Sequence, residues 1–287
     1  MIDALPARRR VVGAALRRYR ENLGFGLEEA ARILECDRSK ISRIETGQRG
    51  IRPKELRELL TEYGVTEHEQ TALAGIAQTA RRGGWWQLYG DVIDEQFREL
   101  LALECAASEI LLYDAQQVPD LLQTPRYARA SADVSGLLPG GVSPDMLAEI
   151  TASRQQAVFG ERRTRVVALV GEAALRSSAV SGEVLREQVE RLIEISATSA
   201  ETAIRILPIL CGAPSCGPAA ILRFAEASSL GAVYLRGLSG GVCLAGQQDV
   251  ASYTRAFEHI KAFALSSTDS AKWLRGDGDQ LPCSLCQ

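Results

Sequence analysis

Apolar residues recur every three or four positions through the first 80 residues, which predicts a series of short amphipathic helices. The stripes on the first three helices are Val12, Leu16, Tyr19 and Leu23, then Leu27, Ala30, Ala31 and Leu34, then Ile41 and Ile44. Gly24 and Gly26 end the first helix, and Thr46-Gly47 ends the third. A fourth helix begins at Pro53 and a fifth at about Glu67. This pattern predicts an all-α N-terminal domain.

The rest of the chain alternates helical and strand-like patterns. Helices are predicted over 97–108, 125–132, 144–159, 182–197 and 249–264. Strands are predicted over 110–113, 165–170, 203–210, 219–224, 232–235 and 242–244. Helices that flank short, turn-linked strands indicate an α+β domain. We therefore expect a head (residues 1–80), a junction (81–90) that is flexible over Arg81-Arg82-Gly83-Gly84, and a larger body (91–287).

The second and third predicted helices are short and are joined by a tight turn at Glu35-Cys36, as in a helix-turn-helix. Asp37 is predicted to cap the third helix. Outward positions of this helix carry arginine forks and short hydroxyls, which can bond base edges in a DNA major groove. The predicted base contacts are Arg38, Ser39, Ser42 and Arg43. The predicted phosphate contacts, at the helix flank and in the following loop, are Lys40, Gln48, Arg49 and Arg52.

The charge distribution favours a polyanion partner for the head alone. The whole chain has a formal net charge of −3, which by itself argues against nucleic acid. Residues 1–84, however, hold 16 Lys and Arg against 12 Asp and Glu, whereas residues 85–287 hold 17 against 24. The alternative is a helical bundle with a solvated arginine face, which leaves the short basic third helix unexplained.

The segment RSKISRIETGQR, preceded by EEAARIL, resembles the recognition helix and following loop of the XRE class, the Cro/phage-repressor-like regulators. The resemblance implies base contacts from Arg38, Ser39 and Arg43. Two positions depart from the class. Gly26 stands where Ser or Thr usually caps the second helix, and Glu35 stands at a turn position that is usually Gly. The second departure predicts left-handed backbone strain or a different turn.

The body contains GGWWQLYGDV, VPDLLQTPRYARA, GEAALR, ILPI and VYLRGLSGG in that order. These motifs resemble the antitoxin-like C-terminal domain, of unassigned function, that many actinobacterial XRE regulators carry. The resemblance implies regulation of transcription, often beside a small partner protein encoded nearby. Pro214 replaces a His of that family, and Arg236 replaces an acidic residue. If those groups hold a shared ligand in the family, this chain lacks them.

No nucleophile elbow, P-loop or dinucleotide fingerprint occurs in the body, so we expect no enzyme activity and no cofactor. GLSGG (237–241) is typical of a hairpin turn, and Glu172 has no second catalytic group placed with it. Trp85-Trp86 is predicted to anchor the junction by packing.

The cysteines leave three interpretations open. Cys211-x4-Cys216 and Cys283-x2-Cys286 could hold zinc, form a redox pair or have no special role, and their spacing favours the last. The other cysteines, which we predict to be small core residues, are Cys36, Cys105 and Cys243.

We thus expect a soluble cytoplasmic protein, because no apolar run approaches the roughly 18 residues of a membrane span and no secretory segment is evident. The fold class is an all-α N-terminal helix-turn-helix domain followed by a larger α+β domain. The expected function is sequence-specific regulation of transcription by a homodimer on double-stranded DNA, with the body serving dimerisation and the sensing of a small-molecule effector or a small protein. The alternative is an antitoxin-like protein that sequesters a small partner protein and autoregulates its operon.

Overall fold

A computed structural model describes residues 6–82, 84–90, 92–135, 142–160, 164–177, 179–209, 217–224, 230–237 and 240–277. The described helices of the head are α1 (Ala7–Asn22), α2 (Leu27–Ile33), α3 (Arg38–Glu45), α4 (Pro53–Glu62) and α5 (Glu67–Arg82). The predicted all-α head is therefore confirmed, although α1 begins at Ala7, before the first residue of its predicted apolar stripe, and α5 continues to Arg82, beyond the predicted end of the head at residue 80.

The apolar stripes of the head meet in one core. Leu16, Ile41 and Leu56 are each 1% exposed, and they pack together with side chains from α5. The predicted stripe of α1 was wrong at its last position. Leu23 follows the end of α1, just before Gly24 turns the chain at φ +70°, and it is 45% exposed.

The body combines helices with a mixed sheet. Its described helices are α6 (Glu95–Glu104), α7 (Pro125–Ser135), α8 (Pro144–Phe159), α9 (Glu172–Arg176), α10 (Gly182–Thr198), α11 (Gln247–Phe263) and α12 (Ser267–Lys272). Its described strands are β1 (Glu109–Asp114), β2 (Arg165–Gly171), β3 (Thr202–Leu207), β4 (Ala219–Arg223), β5 (Gly231–Gly237) and β6 (Gly240–Leu244). These elements confirm the predicted α+β class.

The described strands pair in the order β3-β2-β1-β4-β5-β6. β1 runs parallel to β2 and antiparallel to β4, and β2 runs parallel to β3. Alternate residues of β1 face opposite sides: Ile110 and Leu112 pack toward the core that continues into the head, whereas Leu111 and Tyr113 pack toward α11. The sheet is thus covered on both faces. Sequential strand order reverses at β1, and open sheets commonly form ligand crevices at such a point.

The junction is more ordered than predicted. α5 continues through Arg82, so the flexibility predicted for 81–84 was wrong for the first two of these residues, and Trp85–Tyr89 form a 3₁₀ helix. Trp86 is 5% exposed and makes an edge contact with Trp85 at 6.0 Å between ring centroids, which confirms packing at this position. Among the described residues, no helix has both the length and the apolarity to cross a bilayer.

The head lies directly against the body. Arg8 at the start of α1 donates from Nη2 to Glu99 Oε1 of α6 at 2.7 Å and from Nε to both carboxylate oxygens at 3.0 Å. Arg10 donates to the carbonyl oxygen of Cys243 on β6 at 2.5 Å. The first helix of the head is thus tied to two elements of the body.

Candidate nucleic-acid interface

The turn between α2 and α3 has the left-handed residue that the sequence predicted. Glu35 has φ +45°, and the following Cys36 N–H donates to the Ala31 carbonyl at 2.9 Å. The predicted strain at Glu35 is therefore confirmed. Gly26, the other departure, provides no capping side chain, but its N–H donates to Glu29 Oε2 at 2.8 Å. Glu29 therefore provides a hydrogen-bond acceptor for the Gly26 backbone N–H at the start of α2.

Asp37 occupies the N-cap position of α3 in an extended conformation, as predicted. Its carboxylate, however, makes no capping hydrogen bond to the described residues of the helix. The first turn is closed by the backbone instead, since the Lys40 N–H donates to the Asp37 carbonyl at 2.9 Å. Asp37 is thus the N-cap residue as predicted, and its carboxylate is exposed to solvent.

Ile41 and Ile44 anchor α3 in the head and turn its other side outward. Of the four predicted base contacts, Arg38, Ser39 and Arg43 are exposed and Ser42 is half-buried. Arg38 pairs with Glu28 of α2 at 3.1 Å, and both side chains are largely exposed. Arg43 donates from Nε to the Ser39 carbonyl at 3.2 Å, one turn earlier. Such exposed contacts are weak, so both guanidinium groups can exchange them for a nucleic acid.

Three of the four predicted phosphate contacts, Gln48, Arg49 and Arg52, are exposed beside the C-terminal end of α3. The fourth, Lys40, instead pairs through Nζ with Glu55 Oε1 of α4 at 2.8 Å, and both side chains are about four-fifths buried. Burial raises the pKa of Glu55, but hydrogen bonds from Lys40 and the Arg52 backbone lower it by more, so the pKa lies below its usual range. Lys40 must leave this pair to reach a phosphate.

A buried ion pair that the sequence did not indicate holds α3 in place. Arg20 of α1 donates from Nε and Nη2 to the two carboxylate oxygens of Glu45 at 2.7 and 2.8 Å. Its Nη1 donates to the Phe25 carbonyl in the turn before α2, at 2.7 Å. Nearby, burial raises the pKa of Tyr63 to about 12. Arg20 therefore links α1, the turn and the last residue of α3.

Close backbone contact also fixes α1 against α3. A Cβ at Gly13 would lie 2.4 Å from the Ile44 carbonyl oxygen and 2.6 Å from that of Glu45. Gly47, with φ +76°, ends α3 as predicted and lies against Arg10 of α1. The orientation of the outer face of α3 is thus set by α1.

The body carries a second group of polar residues at the end of β1. A narrow cavity of about 40 Å³ is lined by Asp114, Asp120, Arg154, Tyr234 and Arg236. Arg236 bonds Asp120, while Arg154 pairs with Glu104 at 2.6 Å. Among the described residues, Arg154 Nη1 is buried without a hydrogen-bond partner. Arg236, the departure from the resembled family, is therefore already neutralised by an acidic neighbour.

The structure confirms some of the remaining sequence predictions and not others. Cys243 is buried as predicted, whereas Cys36 and Cys105 are only half-buried. The hairpin at 237–241 is confirmed by the antiparallel pairing of β5 and β6. Glu172 pairs with Arg176 at 2.6 Å and accepts from the Ile209 N–H.

Several predicted residues lie outside the described ranges. These are Cys211, Pro214, Cys216, Cys283 and Cys286. The zinc and redox interpretations therefore stay predictions. In the described ranges, no three His, Cys, Asp or Glu side chains group as a metal site.

Two family models match the chain. Residues 11–73 match a model described as a helix-turn-helix domain, and residues 97–276 match one described as a domain of unknown function (DUF5753). No curated protein and no solved structure matches the chain. The first match covers α1 to α4 and the first part of α5, and with them the basic outer face of α3. It supports DNA binding by the head.

Proposed function

The chain belongs to the family defined by the domain of unknown function DUF5753, and because a DNA-binding helix-turn-helix precedes that domain, we propose that it is a sequence-specific regulator of transcription. The observation that carries the proposal is the exposed basic face of α3, held on a buried base by Ile41 and Ile44. In this proposal α3 enters the major groove in the manner of XRE regulators.

Each residue of the interface has a proposed role. Arg38, Ser39, Ser42 and Arg43 contact base edges, with the arginine forks suited to guanine O6 and N7. Gln48, Arg49 and Arg52 contact phosphates and set the register, and Lys40 joins them after leaving Glu55.

We further propose that the protein acts as a homodimer, since one recognition helix contacts too few base pairs for useful specificity. We also propose that its function involves no catalytic step. The body would supply dimerisation and effector or partner sensing. Sedimentation equilibrium of the full chain tests the dimer, and a monomer that still binds a palindromic site would contradict it.

The DNA-binding proposal is tested by selecting bound duplexes from a random library and measuring affinities by fluorescence anisotropy. Arg43→Lys retains the charge but loses the fork, so specific binding should weaken by about 1–3 kcal/mol while non-specific binding stays unchanged. Arg49→Gln should weaken binding to all duplexes and reduce the salt slope by about one. If Arg43→Lys loses equal affinity for specific and for random DNA, Arg43 does not recognise bases.

The same preparation distinguishes the alternative function. If sequestration of a small partner is the main role, a small protein should co-purify in fixed stoichiometry from the native host. Selected duplexes would then map to the chain's own operon alone, whereas sites at distant promoters would favour the regulator.

A further inference from the structure

A cavity of about 300 Å³ lies in the head, behind the loop that follows the recognition helix. The apolar side chains that face it are Ile51, which precedes α4, and Ala77 of α5, both half-buried, and they lie over the buried Val12, Ile44 and Ile76. Arginines line its rim, and the described residues that line it include no carboxylate. This volume and this mixture of apolar wall with a few convergent polar groups are typical of small-molecule sites.

The rim is strongly positive. Of the four arginines, Arg8 is neutralised by Glu99. Arg9, Arg49 and Arg52 are exposed, and in the described part of the chain no carboxylate forms an ion pair with them. Arg52 interacts electrostatically with the Glu55 carboxylate, whereas the guanidinium groups of Arg9 and Arg49 beside the apolar wall attract an anion and strengthen its hydrogen bonds.

We propose that this cavity binds a small amphipathic anion, of the class of medium-chain monocarboxylates. Its hydrocarbon chain lies along the wall formed by Ile51 and Ala77, and its carboxylate is bound by Arg9 and Arg49 at the rim. Neither part suffices alone, because a purely polar anion leaves the apolar wall exposed and a neutral hydrocarbon leaves the arginines uncompensated.

Binding of the anion at this site should weaken DNA binding, an effect that rests on the proposed function. Arg49 and Arg52 belong to both the rim of the cavity and the proposed phosphate contacts. A bound carboxylate therefore competes with DNA for the same guanidinium groups. By thermodynamic reciprocity the anion lowers the affinity for DNA by the same factor as DNA lowers the affinity for the anion.

Direct binding to the full-length protein is measured without DNA, by titration calorimetry with decanoate and, as the neutral match, decanol. Decanoate should bind with a stoichiometry of one per chain and at least about tenfold more tightly than decanol, the factor expected for one charge-assisted hydrogen bond. Arg9→Gln should weaken decanoate binding by at least about tenfold for the same reason. Arg17→Gln makes the same charge change on an exposed part of α1 outside the cavity and should leave it unchanged.

A second variant tests the apolar wall without a change of charge. Ala77 of α5 lines the cavity, and Ala77→Phe fills it, so decanoate binding should weaken while circular dichroism still reports a folded head. No binding of decanoate, equal affinity for decanoate and decanol, or wild-type affinity in either Arg9→Gln or Ala77→Phe would overturn the site.

The competition is measured separately, as the anisotropy of a selected duplex titrated with decanoate. Release of DNA by decanoate but not by decanol supports it, and bound decanoate without any loss of DNA affinity overturns the competition. If the chain binds no DNA, the proposed function fails, while the calorimetry still decides whether the cavity binds the anion.

Discussion

Arg20 shows how one buried charge can fix a recognition helix. From α1 it donates two hydrogen bonds to Glu45 at the end of α3 and one to the Phe25 carbonyl in the turn before α2, and its side chain and that of Glu45 are 8% and 5% exposed. Such a pair is costly to desolvate, so its value to this fold lies in geometry more than in net stability. We therefore expect the pair to act as a positioning device for the outer face of α3.

Arg20→Met should lower the free energy of unfolding by about 3–5 kcal/mol, because it leaves the Glu45 carboxylate buried without a cation. Urea unfolding followed by circular dichroism measures this loss. Arg17→Met, which removes an exposed partner of Glu21 on the same helix, should change stability little. A loss as small as that of the control would mean that Glu45 reaches solvent or another cation.

Asp120 and Asp114 line the same cavity, but their pKa values are shifted in opposite directions. Burial raises the pKa of Asp114, and its backbone hydrogen bonds do not reverse this. For Asp120, burial also raises the pKa, but the positive charges of Arg236 and Arg154 lower it by more than burial raises it. The pKa of Asp120 therefore lies below the usual range. The ionised Asp120 therefore stabilises the fold above its unfolded pKa, and this contribution is lost as the pH falls through the folded pKa.

Arg236→Gln should remove the main cause of the lowered Asp120 pKa and leave a buried carboxylate without its cation. The variant should be less stable than wild type at pH 7, and the difference should shrink as both proteins are acidified below about pH 4, where carboxylates become protonated. Urea midpoints measured from pH 7 to pH 3 test this. A difference that is constant across the range would show that Asp120 does not carry the effect.

At the scale of elements, α1 determines where α3 lies. The two helices touch backbone to backbone at Gly13, opposite the last turn of α3. Any side chain at position 13 must push α1 away from the carbonyl groups of Ile44 and Glu45. Since those residues also define the buried side of α3, a shift of this contact moves the DNA-reading face.

Gly13→Ala should therefore destabilise the head by about 1–3 kcal/mol, the usual cost of overpacking a well-packed contact. Specific DNA binding should fall by a larger factor than non-specific binding. Gly75→Ala gives the matched control: its Cβ would meet no atom within 4 Å, so it should stabilise α5 by about 0.5–1 kcal/mol. Equal stability of the Gly13 variant and wild type would show that the helices separate without cost.

Elements with local signals were predictable, and long-range pairs were not. α8 was predicted with its observed bounds because Ser143 and Pro144 mark its start and Gly160 its end. The outer face of α3 and the turn strain at Glu35 also follow from local pattern. Neither the Arg20–Glu45 pair nor the Lys40–Glu55 pair could be inferred, because each joins helices whose relative placement depends on packing.

At the scale of the whole molecule, α6 contacts both the head and the body's polar cavity. Glu99 of α6 binds Arg8 of the head, Leu100 lines the cavity, and Glu104 pairs with the cavity residue Arg154. One helix thus connects the two parts of the chain through neighbouring residues. A change in the cavity that moves α6 would also move the Arg8–Glu99 contact.

Glu99→Gln tests how firmly that contact holds the two parts together. The carboxylate is 3% exposed and accepts hydrogen bonds from the Arg8 guanidinium and the Arg8 backbone N–H, so loss of its charge should reduce stability by about 1.5–3 kcal/mol. Urea unfolding followed by the fluorescence of Trp85 and Trp86 in the junction and of Trp273 in the body measures the loss. Glu95→Gln on the exposed side of α6 should have little effect. If both variants match wild type, α1 is held on the body by apolar packing and not by this ion pair.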